Sequence, residues 1–257
     1  MSLNFCFIGA GNLATQLAKA FFSKGHNIVQ VFSRTETSAS TLAQLVHADF
    51  TTNPGDVAKS ADVYFIAIKD SAFGEVLPKI DFGNRLVVHC SGSVSIKELK
   101  NYSSNIGVLY PLQTFSKLRD VDFKKVPVFI EANNRENEEF LVNIADEISE
   151  QVSALDSESR RTLHISAVFA CNFVNHFYQI AGDILKSKAI NFDVLRPLIL
   201  ETALKVQTFE PAEVQTGPAV RFDENIINLH LAELSGMPEY QQLYETISKS
   251  IFEHQKK

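Results

Sequence analysis

The sequence has no long apolar run and no excess of basic residues, and each absence argues against a class of protein. No stretch approaches the ~20 apolar residues that a membrane-spanning helix needs, so no membrane partner is expected. The formal net charge is −6, and acidic residues outnumber basic ones in both halves of the chain. The basic footprint of a nucleic-acid-binding protein is therefore missing.

Cysteine is also scarce. Cys6, Cys90 and Cys171 lie far apart in apolar stretches, a pattern typical of buried free thiols in a reducing cytoplasm. None of the seven histidines has the spacing to a nearby ligand that is typical of a zinc site, so no metal is predicted. The first residues lack the charged region of a signal peptide, and we expect a cytoplasmic protein.

A glycine turn near the start of the chain organises the predicted fold. An apolar run at residues 5–8 ends at the turn, and a helical apolar pattern begins at once. Strand, tight turn and helix in this order form the first half of a dinucleotide-binding βαβ unit. The alternative is a structural turn of another α/β protein. Four residues are predicted to hold a cofactor pyrophosphate at the positive end of the helix: Gly9, Gly11, Asn12 and Leu13.

The residues after the second predicted strand indicate which dinucleotide binds. Folds specific for NAD usually place Asp or Glu here to accept a hydrogen bond from the ribose. This chain has Ser33, Arg34 and Thr35, whose hydroxyls and guanidinium suit the 2′-phosphate of NADP. The sequence therefore predicts NADP, with NAD as the alternative because Glu36 follows directly.

Strand and helix patterns alternate through residue 155 and predict an α/β, Rossmann-type domain with a mainly parallel sheet. Near-continuous apolar runs at residues 62–68 and 85–90 are typical of strands covered on both faces. The carboxyl ends of parallel strands line the cofactor crevice. Lys69 and Ser91, at or just after the ends of these runs, are therefore predicted to face the nicotinamide.

The pattern changes at residue 156. Beyond this point the sequence predicts no strand and four helices, at 157–188, 191–208, 222–234 and 239–253. We expect two domains: a dinucleotide-binding Rossmann domain at 1–155 and an all-helical domain at 156–257 for substrate binding and dimerisation.

Candidate catalytic residues lie in the first of these helices. His164 and Asn172 are eight residues apart, about two helical turns, and fall on one stripe. Imidazole ordinarily titrates near neutrality, so His164 is a candidate to move a proton during hydride transfer, with Asn172 orienting the substrate. A packing or interface role for His164 is the alternative. The turn at 216–221 offers Arg221 to an anionic substrate group, or is a structural turn with a surface arginine.

Taken together, these motifs resemble a family of NADP oxidoreductases with a Rossmann domain and a helical domain similar to that of 6-phosphogluconate dehydrogenase. The family is similar to pyrroline-5-carboxylate reductases and deazaflavin-dependent NADP oxidoreductases. The segments that carry the resemblance are GAGNLA (9–14), HCSGS (89–93), PLQTF (111–115), AVFACN (167–172) and TGP (216–218).

The resemblance implies NADP as cofactor and pairing of two chains through the helical domain. Two departures concern the proton donor. Related β-hydroxyacid dehydrogenases use a lysine on the first helix of the second domain, and residues 156–185 contain none. Tyr110 stands where relatives tend to have histidine.

The sequence supports two hypotheses from different classes. The first is an NADP-dependent oxidoreductase that transfers a hydride between NADP(H) and a small imine or carbonyl compound. The second is a non-catalytic NADP(H)-binding sensor, which the missing lysine keeps open. Either protein is expected to form a homodimer, because about 100 residues with an apolar first helix are too few to bury that surface alone.

Overall fold

A computed structural model of the chain describes residues 2–255 and divides the chain into two compact units, Met1–Asn172 and Phe173–Lys257. The strands described in the first unit are β1 (Asn4–Ile8), β2 (Asn27–Phe32), β3 (Asp49–Thr51), β4 (Val63–Ile66), β5 (Leu86–His89), β6 (Ile106–Pro111), β7 (Val128–Ala132) and β8 (Val152–Ala154). Its helices are α1 (Asn12–Ser23), α2 (Glu36–Leu45), α3 (Phe73–Val76), α4 (Arg135–Asp146) and α5 (Ser157–Ala167).

All of these strands form one sheet, in the order β3-β2-β1-β4-β5-β6-β7-β8. Each neighbouring pair is parallel except β6 and β7, which are antiparallel. Strand order reverses between β1 and β4, and such a reversal opens a ligand crevice at the carboxyl ends of the strands. The predicted Rossmann-type, mainly parallel sheet is confirmed.

Strand β1 is buried on both faces, which explains its continuous apolar sequence. Successive side chains alternate between two core clusters, so Phe5 and Phe7 belong to one face and Cys6 and Ile8 to the other. The Phe5 ring centroid lies 4.8 Å from that of Phe21 on α1. Ring packing of this kind holds α1 against the sheet.

Helix α5 is followed by a π-helical segment, Val168–Phe173, which ends one residue beyond the first unit. The single helix predicted at 157–188 is therefore interrupted. Apolar residues continue through the π-helical segment, so their periodicity does not separate a π turn from an α turn. Beyond residue 156 the described residues contain no strand. The compact first unit nevertheless continues to Asn172, and the domain boundary at 155 stays a prediction.

The second unit is helical in the part that the structure describes, as predicted. Its helices are α6 (Val174–Lys186), α7 (Arg196–Lys205), α8 (Glu224–Glu233) and α9 (Pro238–His254). Helix α7 has no buried residue, and its apolar side chains Leu198 and Leu200 are 63% and 60% exposed. Across residues 2–255, no helix has both the length and the apolar composition needed to cross a bilayer.

Candidate functional site

The turn between β1 and α1 has the geometry that a pyrophosphate needs. Gly9 has a φ of +125°, and a Cβ there would lie 2.3 Å from the Ala67 carbonyl oxygen, so only glycine fits. Gly11 is the N-cap of α1, and no side chain in the described region caps the helix. A Cβ on Gly11 would meet no atom within 4 Å, so the space beside it is open. This turn therefore fits the phosphates of a dinucleotide, because the first-turn N–H groups of α1 lack helical partners.

Asn12 has a further contact that the sequence did not indicate. Its side-chain amide donates to the Phe115 carbonyl oxygen at 3.0 Å, and Gln16 Nε2, one turn further along α1, donates to the Ser116 carbonyl oxygen at 2.7 Å. Lys19 continues the row with an ion pair to Asp120. The segment after β6 is thus attached to α1 beside the glycine turn. Residues of this kind at i, i+4 and i+7 lie on one face of a helix.

The end of β2 presents a cation at the position predicted to bind the 2′-phosphate. Arg34 is exposed, and its guanidinium makes no hydrogen bond or ion pair within residues 2–255. Thr35 is the N-cap of α2, but its hydroxyl donates to Ser38 Oγ at 2.8 Å and leaves the helix start uncapped. Ser33 is partly buried at the strand end. These groups fit a phosphate better than a ribose hydroxyl.

Lys69 follows β4, the neighbour of β1 across the reversal, and Ser91 follows β5, the next strand in the sheet. Lys69 is exposed. The Ser91 hydroxyl accepts hydrogen bonds from the N–H groups of Ser93 and Val94, each at 3.1 Å, and so closes a tight turn. The Ser91 side chain therefore shapes the loop at the strand end.

His89, the last residue of β5, lies buried beneath this turn. Its Nδ1 accepts a hydrogen bond from the Ser91 N–H at 3.2 Å, whereas its buried Nε2 makes no hydrogen bond of normal geometry to the described residues. Burial, with a smaller contribution from the Arg160 cation, lowers the pKa of His89 to about 3. The imidazole is therefore neutral, and its tautomer carries the proton on Nε2.

Arg160 on α5 clamps the same turn, although nothing in the sequence singled it out. The side chain is fully buried and pairs with Glu131 on β7. Its Nε donates to the Ser91 carbonyl oxygen at 3.2 Å, and Nη2 donates to the Val94 carbonyl oxygen at 2.6 Å. A buried guanidinium with its donors satisfied in this way holds α5 against the ends of β5 and β7.

His164 lies one helical turn after Arg160 and packs directly on Gly92. A Cβ on Gly92 would lie 2.5 Å from His164 Nδ1, so the contact requires glycine at this position. The same Nδ1 is 2.9 Å from the hydroxyl of Tyr110 on β6. Tyr110 is buried, and burial raises its pKa. The hydroxyl is therefore protonated at neutral pH.

An open cleft of about 610 Å³ lies beside this histidine. His164 and Asn172, predicted to share a stripe, both line it. The remaining lining side chains are neutral: Tyr110, Leu112, Gln113, Thr114, Phe115, Leu163, Ser166, Ala167, Ala170 and Cys171. Such a mixture of apolar walls with a few hydroxyl, amide and imidazole groups is typical of a small-molecule site.

A mainly parallel sheet with a glycine turn, an uncapped helix start and a cleft at the strand ends defines the class: a dinucleotide-dependent enzyme of the Rossmann type. Two families match the chain. The one described as NADP oxidoreductase, coenzyme F420-dependent, matches residues 4–92, and a domain of unknown function, DUF2520, matches residues 126–251. No curated protein sequence matches this chain.

Solved structures extend the likeness to the whole chain. A protein from Bacteroides fragilis that is named as an NADP oxidoreductase shares 50% identity over 98% of each chain, with a TM-score of 0.95. A protein from Thermotoga maritima is 22% identical over 98% of this chain and 100% of its own, with a TM-score of 0.81. An imine reductase from Myxococcus stipitatus in complex with NADP⁺ is 15% identical over 97% and 92%, with a TM-score of 0.64, and shows the fold alone.

The chain belongs to this family of NADP oxidoreductases, and it is an enzyme whose cofactor is NADP. The predictions of an oxidoreductase and of NADP over NAD are thereby confirmed at the level of the family. The likeness of the helical part to 6-phosphogluconate dehydrogenase stays a prediction, as do the roles of individual residues.

Proposed function

We propose that this protein transfers a hydride between NADP(H) and a small imine or carbonyl compound, with His164 moving the proton. The position of the His164 imidazole carries the proposal. It packs on Gly92 just beyond β5 and lines the same cleft as Asn172. The imine reductase from Myxococcus stipitatus, which has this fold, supports compounds with a C=N bond as substrates.

The cofactor would be held at three places along the carboxyl ends of the strands. Backbone N–H groups at the start of α1, with Gly9 and Gly11 giving access, would bind the pyrophosphate through Asn12 and Leu13. Arg34, with the hydroxyls of Ser33 and Thr35, would bind the 2′-phosphate. The nicotinamide side would lie near Lys69 and Ser91. When bound, NADPH supplies a hydride.

Reduction of a C=N or C=O bond also needs a proton on the nitrogen or oxygen. Nδ1 of His164 is engaged by the Tyr110 hydroxyl, which leaves Nε2 to give that proton. Nδ1 would take up the hydroxyl proton of Tyr110 in the same step, so that the imidazole stays neutral, and Tyr110 would regain a proton from solvent after the product leaves. The Asn172 amide lines the same cleft and offers both donors and an acceptor to orient the substrate. Apolar walls beside these groups would exclude water from the reacting atoms.

The assembled enzyme is proposed to be a homodimer joined mainly through residues 157–257. Large exposed apolar side chains in this region support it, among them Phe169, Phe177, Leu198, Leu200, Leu204, Phe209 and Leu229. Single exposed apolar side chains are normal on a protein surface, but this number of them indicates an interaction surface, which a second copy of the chain would cover. We place the enzyme in the cytoplasm, where its three thiols stay reduced.

The test is NADPH oxidation followed at 340 nm with a panel of cyclic imines, oxo acids and ketones. The deazaflavin coenzyme F420 is an additional arm. With a substrate in hand, His164→Ala should lower kcat roughly 10²- to 10⁴-fold, the usual contribution of a general acid, and leave the Kd for NADPH unchanged. His47→Asn is the matched control, because it removes an exposed imidazole just after α2 and asparagine tolerates the positive φ there.

Three outcomes would contradict the proposal in whole or in part. Tight NADPH binding without turnover of any imine or carbonyl compound would favour the non-catalytic sensor, and turnover of F420 alone would assign a different substrate class. An unchanged kcat with a lower Tm in the His164 variant would reduce that residue to a packing role.

A further inference from the structure

We propose that Tyr110 is a positioning residue for the reaction, and that its hydroxyl holds His164 in the tautomer whose Nε2 carries the proton. The inference rests on the proposed function for its catalytic consequence. The tautomer itself is a property of the folded chain and can be measured without a substrate.

The hydroxyl belongs to a rigid element. Strand β6 is paired on both edges, with β5 in parallel and β7 in antiparallel register, where Tyr110 stands opposite Phe129. The Tyr110 and His164 rings meet edge-on, with centroids 6.0 Å apart and an interplanar angle of 74°. Oη and Nδ1 are 2.9 Å apart, the length of a normal hydrogen bond.

The imidazole is held from the other sides as well. Gly92 lies so close to the ring that no Cβ fits between them. One turn earlier on α5, the Arg160 clamp fastens the helix to the Ser91 and Val94 carbonyl oxygens. Rotation of the ring by a flip of χ2 would therefore break the Tyr110 contact without a replacement for it.

The direction of the hydrogen bond follows from hydrogen-bond satisfaction. A phenol that keeps its proton is a better donor than acceptor, and His164 Nδ1 is the acceptor that the described residues place within reach of this hydroxyl. A neutral imidazole that accepts at Nδ1 carries its proton on Nε2. That leaves the proton on the nitrogen that Tyr110 does not engage, available to a substrate nitrogen or oxygen in the cleft.

The first readout is the ¹⁵N chemical-shift pattern of His164 in the apoprotein, which separates the two neutral tautomers. The native protein should show the Nε2–H form, and Tyr110→Phe should convert it to a mixture. Tyr64→Phe is the matched control: it removes a buried phenol hydroxyl that donates to the Ala58 carbonyl oxygen at 2.7 Å, within the core of the sheet. This control should leave the His164 pattern unchanged.

The second readout is kinetic and uses whichever substrate the panel yields. Loss of a single neutral hydrogen bond should lower kcat about twofold to tenfold in Tyr110→Phe, with KM for NADPH unchanged. Because Tyr110 acts through the imidazole, the same substitution should have no further effect in the His164→Ala background.

A native protein in the Nδ1–H form would overturn the inference, even if no substrate is found. An equal loss of rate from Tyr110→Phe with and without His164 would also overturn it, since the tyrosine would then act on the substrate directly. Failure of the whole panel to react would count against the proposed function. The tautomer measurement would then decide the inference about Tyr110.

Discussion

Acidification should destabilise this protein through His89, and the size of the effect follows from its burial. The His89 side chain is fully buried, and burial lowers its pKa from the ordinary 6.5 to about 3. Below pH 6.5 the unfolded chain takes up a proton that the folded protein does not bind. Stability is therefore complete above pH 6.5 and declines as the pH falls toward 3. At pH 5 the loss works out to about 2 kcal/mol relative to pH 8.

The substitution that isolates the contribution of His89 to the pH dependence of stability is His89→Asn. Asparagine does not titrate, and its side-chain oxygen keeps an acceptor for the Ser91 N–H that Nδ1 now accepts. Urea denaturation of both proteins at pH 5, 6, 7 and 8 gives the free energy of unfolding at each pH. All other titrating groups are shared by the two proteins and cancel in the difference of their slopes.

The native protein should lose about 2 kcal/mol more than the variant between pH 8 and pH 5. Any constant offset from repacking around residue 89 does not enter this comparison. Parallel pH profiles would refute the reasoning, since they would show that His89 takes up its proton in the folded state as readily as in the unfolded one.

Two further predictions concern cofactor choice and assembly. The native protein should bind NADPH at least tenfold more tightly than NADH in calorimetry, and Arg34→Ala should remove most of this preference, because a charge-assisted contact contributes ~1.5–3 kcal/mol. The control is Arg135→Ala, which removes another exposed arginine. Equal affinities of the native protein for NADPH and NADH would contradict this reading. Light scattering at micromolar concentration should give twice the chain mass of 28.6 kDa, and replacing Leu198 and Leu204 by glutamate should return the protein to a single-chain mass. A native monomer would argue against the dimer.

Local features of the fold could be predicted because they depend on neighbours in the chain. The apolar run of β1 and the turn at Gly9 and Gly11 can be recognised within about ten residues of sequence, since strand burial and a positive φ restrict which side chains fit. The mainly parallel sheet follows from the alternation of strands and helices. Placing Arg34 at the end of β2 needed only the strand that precedes it.

The contacts that build the candidate site join residues far apart in the chain, and only the tertiary structure decided them. Arg160 meets Glu131, Tyr110 meets His164, and Asn12 reaches the Phe115 carbonyl oxygen across 29, 54 and 103 positions. Such pairs depend on strand order and register, which the packing of the whole sheet determines. A sequence pattern shows that a histidine lies on a stripe, whereas the hydroxyl that selects its tautomer belongs to a strand brought beside it by folding.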